Sequence, residues 1–163
     1  ESGEYKFSWG SPGIDAGQFI RPHNIAIDHN DRVYVVDREC HRIQMFDPNG
    51  EFLTMWNNIH RPDAMVLGKD NCIYIGELNG ISGMEGAPGL GHRVSIYDLE
   101  GNMLCRFGAL EEGSGPGQFI APHGIAVDSH GDLYVSEVSY TIRGSRMDPP
   151  REIRSLSKYA RCE

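Results

Sequence analysis

Two histidines, His23 and His123, occupy the same position in two copies of an internal repeat. Each follows a proline and opens a short alternating apolar segment, and a third copy carries Asp63 at this position. Neutral imidazole is the commonest metal ligand, and zinc accepts nitrogen and oxygen ligands in sites that keep an open position. The repeat therefore predicts a metal site formed by His23 and His123, with Asp63 as a further candidate. Zinc or a similar divalent ion is the expected occupant, with calcium as an alternative.

A simpler interpretation of these residues stays open. A Pro-His pair is also a turn followed by a strand, with the imidazole capping neighbouring backbone. Asp63 would then bond only the adjacent turn. Two histidines are also one fewer than in a His₃ catalytic zinc shell.

The repeat that carries these residues is about 40 residues long, which is typical of a β-propeller blade. Its clearest matches are residues 19–28 (FIRPHNIAID), 60–67 (HRPDAMVL) and 119–128 (FIAPHGIAVD). Each is followed by a second apolar alternation, and period-two alternation indicates strands. The sequence therefore predicts an all-β fold, a β-propeller of four-stranded antiparallel blades.

The strand count predicts a single propeller segment over residues 1–163, with blades at 18–56, 57–108 and 118–163. The last blade lacks its own fourth strand, and residues 3–10 align with the fourth strands of the other blades. Closed propellers have about four to eight blades, so three blades predict half of a six-bladed ring. A second copy of the chain, or a missing N-terminal half, would complete it, and the sequence favours neither.

Propeller geometry places the loop before each first strand on the same face as the loop between the second and third strands. His23, Asp63 and His123 are therefore expected at the mouth of the central channel, where a small molecule or a peptide could bind. The glycine-rich residues 80–91 in one of these loops are predicted to form a lid. Weak candidates for catalysis on this face are Tyr140, Arg143 and Arg38.

Other ionisable residues are predicted to be structural or solvated. A carboxylate ends the second strand of every blade, and this regular recurrence favours a turn-stabilising role over acid–base catalysis. These carboxylates are Asp37, Glu77 and Glu137. The remaining histidines fall in loops and are predicted to be solvated; they are His29, His41, His60, His92 and His130.

Composition excludes several classes of partner. The net charge of −8, with 15 scattered Lys and Arg residues, argues against a nucleic-acid groove. No apolar run approaches the roughly 20 residues of a membrane span. The four cysteines match no zinc knuckle or redox motif. Cys72 and Cys105 are predicted to be buried in strands, Cys40 and Cys162 could form a disulfide, and the cellular compartment stays undecided.

Several segments resemble NHL repeats: residues 34–38 (YVVDR), 42–46 (RIQMF), 115–119 (GPGQF) and 122–128 (PHGIAVD). The chain is most similar to the C-terminal half of bacterial six-bladed propellers related to peptidyl-α-hydroxyglycine α-amidating lyase. In that family, histidines of Pro-His pairs bind a catalytic zinc. The resemblance therefore implies that His23 and His123 are metal ligands.

The resemblance also has gaps. The third zinc-binding histidine, the catalytic tyrosine and the catalytic arginine of that family lie in earlier blades, so no residue here matches them. A methionine that precedes the last Pro-His in the family is Ala121 here. The chain alone is therefore expected to be inactive. A metal-dependent lyase or lactone hydrolase, a non-catalytic NHL binding module, and more weakly a gluconolactonase-like hydrolase are the functions that stay open.

Overall fold

The computed structural model describes residues 3–80 and 89–161, and its strands form three antiparallel sheets and one short parallel pair. Blade 1 consists of β3 (Pro22–Ile27), β4 (Val33–Asp37), β5 (Arg42–Phe46) and β6 (Phe52–Trp56). Blade 2 consists of β7 (Pro62–Leu67), β8 (Ile73–Glu77), β9 (Arg93–Tyr97) and β10 (Met103–Phe107). Blade 3 consists of β11 (Pro122–Val127), β12 (Leu133–Glu137) and β13 (Leu156–Tyr159).

The short remaining elements lie before blade 1 or in the corners after the second strands of blades 1 and 3. They are the parallel pair β1 (Ser11–Pro12) and β2 (Gln18–Phe19), one helical turn α1 (Ser139–Ile142), and the 3-10 turns Arg38–Cys40 and Gly144–Arg146. The predicted all-β fold of antiparallel propeller blades is confirmed. Across the described ranges, no helix is long and apolar enough to cross a membrane. The predicted lid lies largely in residues 81–88, outside the described residues.

Residues 3–10 form no strand in the structure, although the alignment predicts one there. Trp9 nevertheless packs on the hairpin of blade 1 at Gly50, as Trp56 packs on the hairpin of blade 2 at Gly101. Both glycines have positive φ, +84° and +89°, and an added Cβ would collide with the indole. The segment therefore has the position of an outer strand next to blade 1, without the hydrogen-bonded neighbour that would make it a strand.

The carboxylates that end the second strands stabilise the loop that enters each blade, as predicted. Asp37 accepts the backbone N–H groups of Ile20 and Arg21, at 3.1 and 2.9 Å. Glu137 accepts two backbone N–H groups of the equivalent loop in blade 3. Glu77 accepts the backbone N–H group of His60 in blade 2, at 2.9 Å. Buried backbone donors need such partners, and this explains why a carboxylate recurs in every blade.

The prediction that Cys72 and Cys105 are buried is wrong. Cys105 is exposed because β10 is the outermost strand of its blade, and Cys72 is half-buried just before β8. Cys40 forms no disulfide with another described cysteine. Its pairing with Cys162 stays untested, because Cys162 lies outside the described residues.

Two apolar flanks of the three-blade arc are exposed, although the equivalent residues of the neighbouring blades are buried. Ile25 and Met65 hold equivalent positions in β3 and β7, but Ile25 is 57% exposed and Met65 only 5%. At the other end, Leu156 is 64% exposed, whereas its counterpart Ile43 is 1% exposed beneath blade 2. Each exposed residue faces the side on which a further blade would pack. Apolar surface of this kind normally marks an interface.

We therefore expect the chain to associate with itself at micromolar concentration, with light scattering reporting at least two chains per particle. Ile27→Arg, on the exposed flank of β3, should shift the population towards single chains. The matched control is Leu110→Arg, which changes an exposed loop leucine away from both flanks. A single-chain mass for the unmodified protein, or equal effects of the two substitutions, would contradict this expectation.

Candidate metal-binding site

A β-bulge positions each candidate ligand at the start of an innermost strand. The pairing of the first two strands shifts register between Pro22 and Asn24, and at the same place in blades 2 and 3. The extra residue in each bulge is His23, Asp63 or His123. A bulge turns one side chain away from the regular alternation of the strand. The three side chains therefore share an orientation that regular strands would not give them.

The structure brings the three candidate ligands together. One ligand atom from each lies within 4.8 Å of the others. His23 Nδ1 lies 3.2 Å from one carboxylate oxygen of Asp63, and His123 Nε2 lies 3.3 Å from the other. The two imidazole rings are 5.3 Å apart, centroid to centroid, and nearly perpendicular. We refer to His23, Asp63 and His123 as the His–Asp–His cluster.

Asp63 is the buried centre of this cluster, and Arg38 is its charge partner. The Asp63 side chain is fully buried, and its Oδ1 accepts a hydrogen bond from Arg38 at 2.8 Å. Burial acts to lower the pKa of Arg38, but hydrogen bonds to Asp63 and Glu39 raise it overall. Asp63 Oδ2 makes no well-formed hydrogen bond within the described residues, and its neighbour is His123 Nε2 at 3.3 Å. One carboxylate oxygen is thus fixed by an arginine, and the other is buried beside an imidazole nitrogen.

The loops around the cluster lie on one face, as predicted. In each blade, a backbone hydrogen bond joins the loop before the first strand to the corner after the second: Arg38 to Arg21, Leu78 to Arg61, and Val138 to Ala121. Of the three weak catalytic candidates, Arg38 is the one that bonds the cluster within the described ranges. Tyr140 lies in α1 with its ring partly exposed, and Arg143 pairs with Glu112 at 3.2 Å.

Two histidines predicted to be solvated are buried. His60 is 6% exposed, because the loop that carries it lies between blades 1 and 2, and its ring is 4.8 Å from that of His41. His92 is 3% exposed and its Nε2 lies 3.2 Å from the carbonyl oxygen of Leu110. His29 and His130 are exposed, as predicted. The prediction assumed that loop residues are solvated, and it failed for His60 and His92 because their loops are packed against neighbouring parts of the structure.

Comparison with known proteins supports the repeat assignment. The family model for the NHL repeat matches residues 19–46. Drosophila melanogaster protein brain tumor is 28% identical over 133 residues, covering 82% of this chain and 12% of that protein. Caenorhabditis elegans pgal-1, a probable peptidyl-alpha-hydroxyglycine alpha-amidating lyase, is 26% identical over 117 residues, covering 69% and 32%. Human NHL repeat-containing protein 3 is 40% identical over 60 residues, covering 35% and 17%.

The chain thus spans between 12% and 32% of the length of these relatives. Solved structures show the same fold at low identity. A Bacteroides caccae protein of unknown function matches with a TM-score of 0.62 at 14% identity, over 83% of this chain and 44% of that one. Hydrazine synthase of Kuenenia stuttgartiensis matches with a TM-score of 0.51 at 16% identity, over 71% and 28%. At these identities the likeness concerns the fold alone.

Proposed function

This chain is an NHL-repeat, propeller-like protein, and we propose that it binds a divalent metal ion, zinc or a similar one, through His23, Asp63 and His123. The observation that carries the proposal is the convergence of two imidazole nitrogens on the buried Asp63 carboxylate, whose Oδ2 makes no well-formed hydrogen bond within the described residues. Leaving such an oxygen unpaired is costly, and a cation between it and two imidazoles would compensate it. Two nitrogens and one oxygen also form a donor set found at catalytic zinc sites.

The neighbouring groups prepare the cluster for this role. Arg38 occupies Oδ1 of Asp63 and so fixes the orientation of the carboxylate. His23 Nδ1 lies 3.1 Å from the backbone oxygen of Asp63. Nδ1 is also the nitrogen that lies nearest the Asp63 carboxylate. An imidazole nitrogen binds a metal only in its unprotonated form, so binding through Nδ1 would place the ring proton on Nε2. A bound ion would supply Lewis-acid polarisation of a carbonyl or hydroxyl oxygen of a ligand at the channel mouth.

The lyase-type interpretation draws support from the similarity to pgal-1 over 69% of this chain. An isolated chain would supply the metal cluster and Arg38, while the remaining catalytic residues would come from outside it. We propose that a second copy, or the missing N-terminal half, supplies the further blades that complete the ring. The two exposed flanks support this part of the proposal.

A second candidate function is a non-catalytic NHL module that binds a peptide or a small molecule at the channel mouth. The match to the NHL repeat over residues 19–46 is compatible with it, because a repeat that defines a fold does not by itself imply catalysis. In this case the ion pair between Arg38 and Asp63 has a structural role, and the two histidines need no metal. Metal binding therefore separates the two candidates.

We expect equilibrium dialysis with Zn²⁺, followed by elemental analysis, to give about one zinc per His–Asp–His cluster. His23→Ala and His123→Ala should each weaken binding by on the order of a hundredfold, since each removes one of three ligands. His130→Ala, which changes an exposed loop histidine, is the matched control and should leave binding unchanged. Circular dichroism would verify that all variants remain folded.

A folded protein that binds no zinc, or a loss in His130→Ala equal to that in His123→Ala, would contradict the metal proposal. The first of these outcomes would favour the binding module. Calcium and manganese in parallel dialysis cells would identify the preferred ion, since imidazole ligands favour zinc over calcium.

A further inference from the structure

A polar cavity of about 510 Å³ lies beside blade 3, away from the His–Asp–His cluster. Its walls come from residues 112–118, in the loop that enters the blade, and from residues 143–154, in the corner after β12. None of the three cluster residues lines it. A cavity of about 300–1,000 Å³ is the usual size of a small-molecule site.

The internal repeat shows what is unusual about this cavity. In blades 1 and 2, an arginine at the start of the third strand binds the carboxylate that ends the second strand. Arg42 Nε donates to Asp37 at 3.2 Å, and Arg93 Nε donates to Glu77 at 3.0 Å. These pairs neutralise both charges inside the blade.

Blade 3 departs from this pattern at Arg154. Its guanidinium still binds the backbone oxygens of Gly115 and Gln118, as Arg42 binds the entry loop of blade 1. Its closest approach to the Glu137 carboxylate, however, is 3.9 Å, and its buried Nε has no hydrogen-bond partner among the described residues. The cause lies in the sequence, because the extra residue Ser155 separates Arg154 from the strand by comparison with Arg42 and Arg93.

Two further guanidiniums line the same cavity. Arg143 pairs with Glu112 at 3.2 Å, and this pair is partly exposed. The Nε of Arg151 lies 3.4 Å from the sulfur of Met147, a weak acceptor, and Arg151 forms no ion pair within the described ranges. The lining thus holds three arginines and two glutamates, Glu112 and Glu152. The lining itself therefore carries one net positive charge, and the buried Glu137 lies outside it, 3.9 Å from Arg154.

We propose that this cavity binds a small anion through its carboxylate or phosphate oxygens, with Arg151 and Arg154 as the principal donors and Arg143 at the rim. Guanidinium groups bind both kinds of oxyanion through charge-assisted hydrogen bonds, often in pairs. The site is independent of the metal proposed at the channel mouth. It arises because a one-residue shift in blade 3 leaves the Nε of Arg154 without the carboxylate partner that the equivalent arginines have in blades 1 and 2.

The test is isothermal titration calorimetry at low ionic strength, with inorganic phosphate and citrate as separate probes, on protein treated with EDTA and then dialysed free of it. The chelator removes metal, so binding at the His–Asp–His cluster cannot imitate binding in the cavity. We expect one saturable site per chain for at least one probe. The probe that binds more tightly identifies the preferred oxyanion.

Arg151→Gln should weaken binding by roughly tenfold or more, the loss expected for a charge-assisted hydrogen bond. The matched control is Arg146→Gln, which removes the same charge from an exposed neighbour outside the lining. Arg154→Gln should weaken binding further, and if it unfolds the protein, Arg151→Gln still decides the question. No saturable binding of either probe, unchanged binding in Arg151→Gln, or an equal loss in Arg146→Gln would overturn the proposal.

Discussion

Replacing Glu77 with alanine is expected to lower the free energy of unfolding by about 3–5 kcal/mol, the usual cost of breaking a buried ion pair from one side. The side chain is fully buried and links the loop that enters blade 2 to β9 and β10. It accepts hydrogen bonds from the backbone of His60, from Arg93 and from Ser95, and Arg106 lies 3.4 Å away. Its removal would leave two arginines and a buried backbone N–H without their acceptor.

Urea unfolding of the purified variants would measure this loss. Glu51→Ala is the matched control, because Glu51 is exposed beside a hairpin; a change within about 0.5 kcal/mol is expected there. Glu77→Gln keeps the shape and one acceptor oxygen but removes the charge, so it should fall between the two. A loss below 1 kcal/mol in Glu77→Ala would show that the arginines find other partners.

The internal repeat explains why the strands and the candidate metal site could be predicted from the sequence. It placed the strands of all three blades and required His23, Asp63 and His123 to share one face, because equivalent positions in adjacent blades lie side by side. It also explained the carboxylates that end the second strands, since every blade must satisfy the same backbone donors. Features common to all blades were therefore accessible from one sequence.

Features that belong to one blade, or to contacts between blades, could not be predicted from the sequence. The pairing of Arg38 with Asp63 joins blades 1 and 2, and no periodicity reports it. The burial of His60 depends on how a loop packs between two sheets. The helical turn α1 and the shifted Arg154 both follow an insertion in blade 3, where the repeat gives no template. Residues 3–10 carry the pattern of a strand, but a strand also needs a neighbouring strand to pair with.

Acid should destabilise this protein through His60, and this is the second large effect that we expect. Burial, followed by the nearby His41, lowers the pKa of His60 to about 4. The charged groups around it partly offset one another, since Arg93 and Arg61 lower this pKa and Glu77 raises it. His60 Nε2 also has no hydrogen-bond partner within the described ranges, so a proton there would gain no acceptor.

The direction in which stability changes with pH follows from the protonation of His60 in the folded and unfolded states. In the unfolded chain the pKa of a histidine is about 6.5, so below this pH the unfolded state takes up a proton that the folded state still excludes. The stability is complete above pH 6.5 and is lost progressively as the pH falls towards 4. A difference of about 2.5 pKa units corresponds to a loss on the order of 3 kcal/mol. The pKa of His41 is also lowered by burial and adds to the loss in the same direction.

Urea unfolding at pH 7 and at pH 4.5 isolates this contribution when the unmodified protein is compared with His60→Gln. Glutamine does not titrate, so the variant should lose about 2 kcal/mol less between the two pH values, whatever its stability at pH 7. The carboxylates titrate in both proteins, and their contribution therefore cancels in the difference. His130→Gln, in an exposed loop, should show the same pH dependence as the unmodified protein. If His60→Gln instead shows the same pH dependence as the unmodified protein, the His60 ring gains a proton as readily in the folded state as in the unfolded chain. The loop between blades 1 and 2 must then open to water well before the protein unfolds.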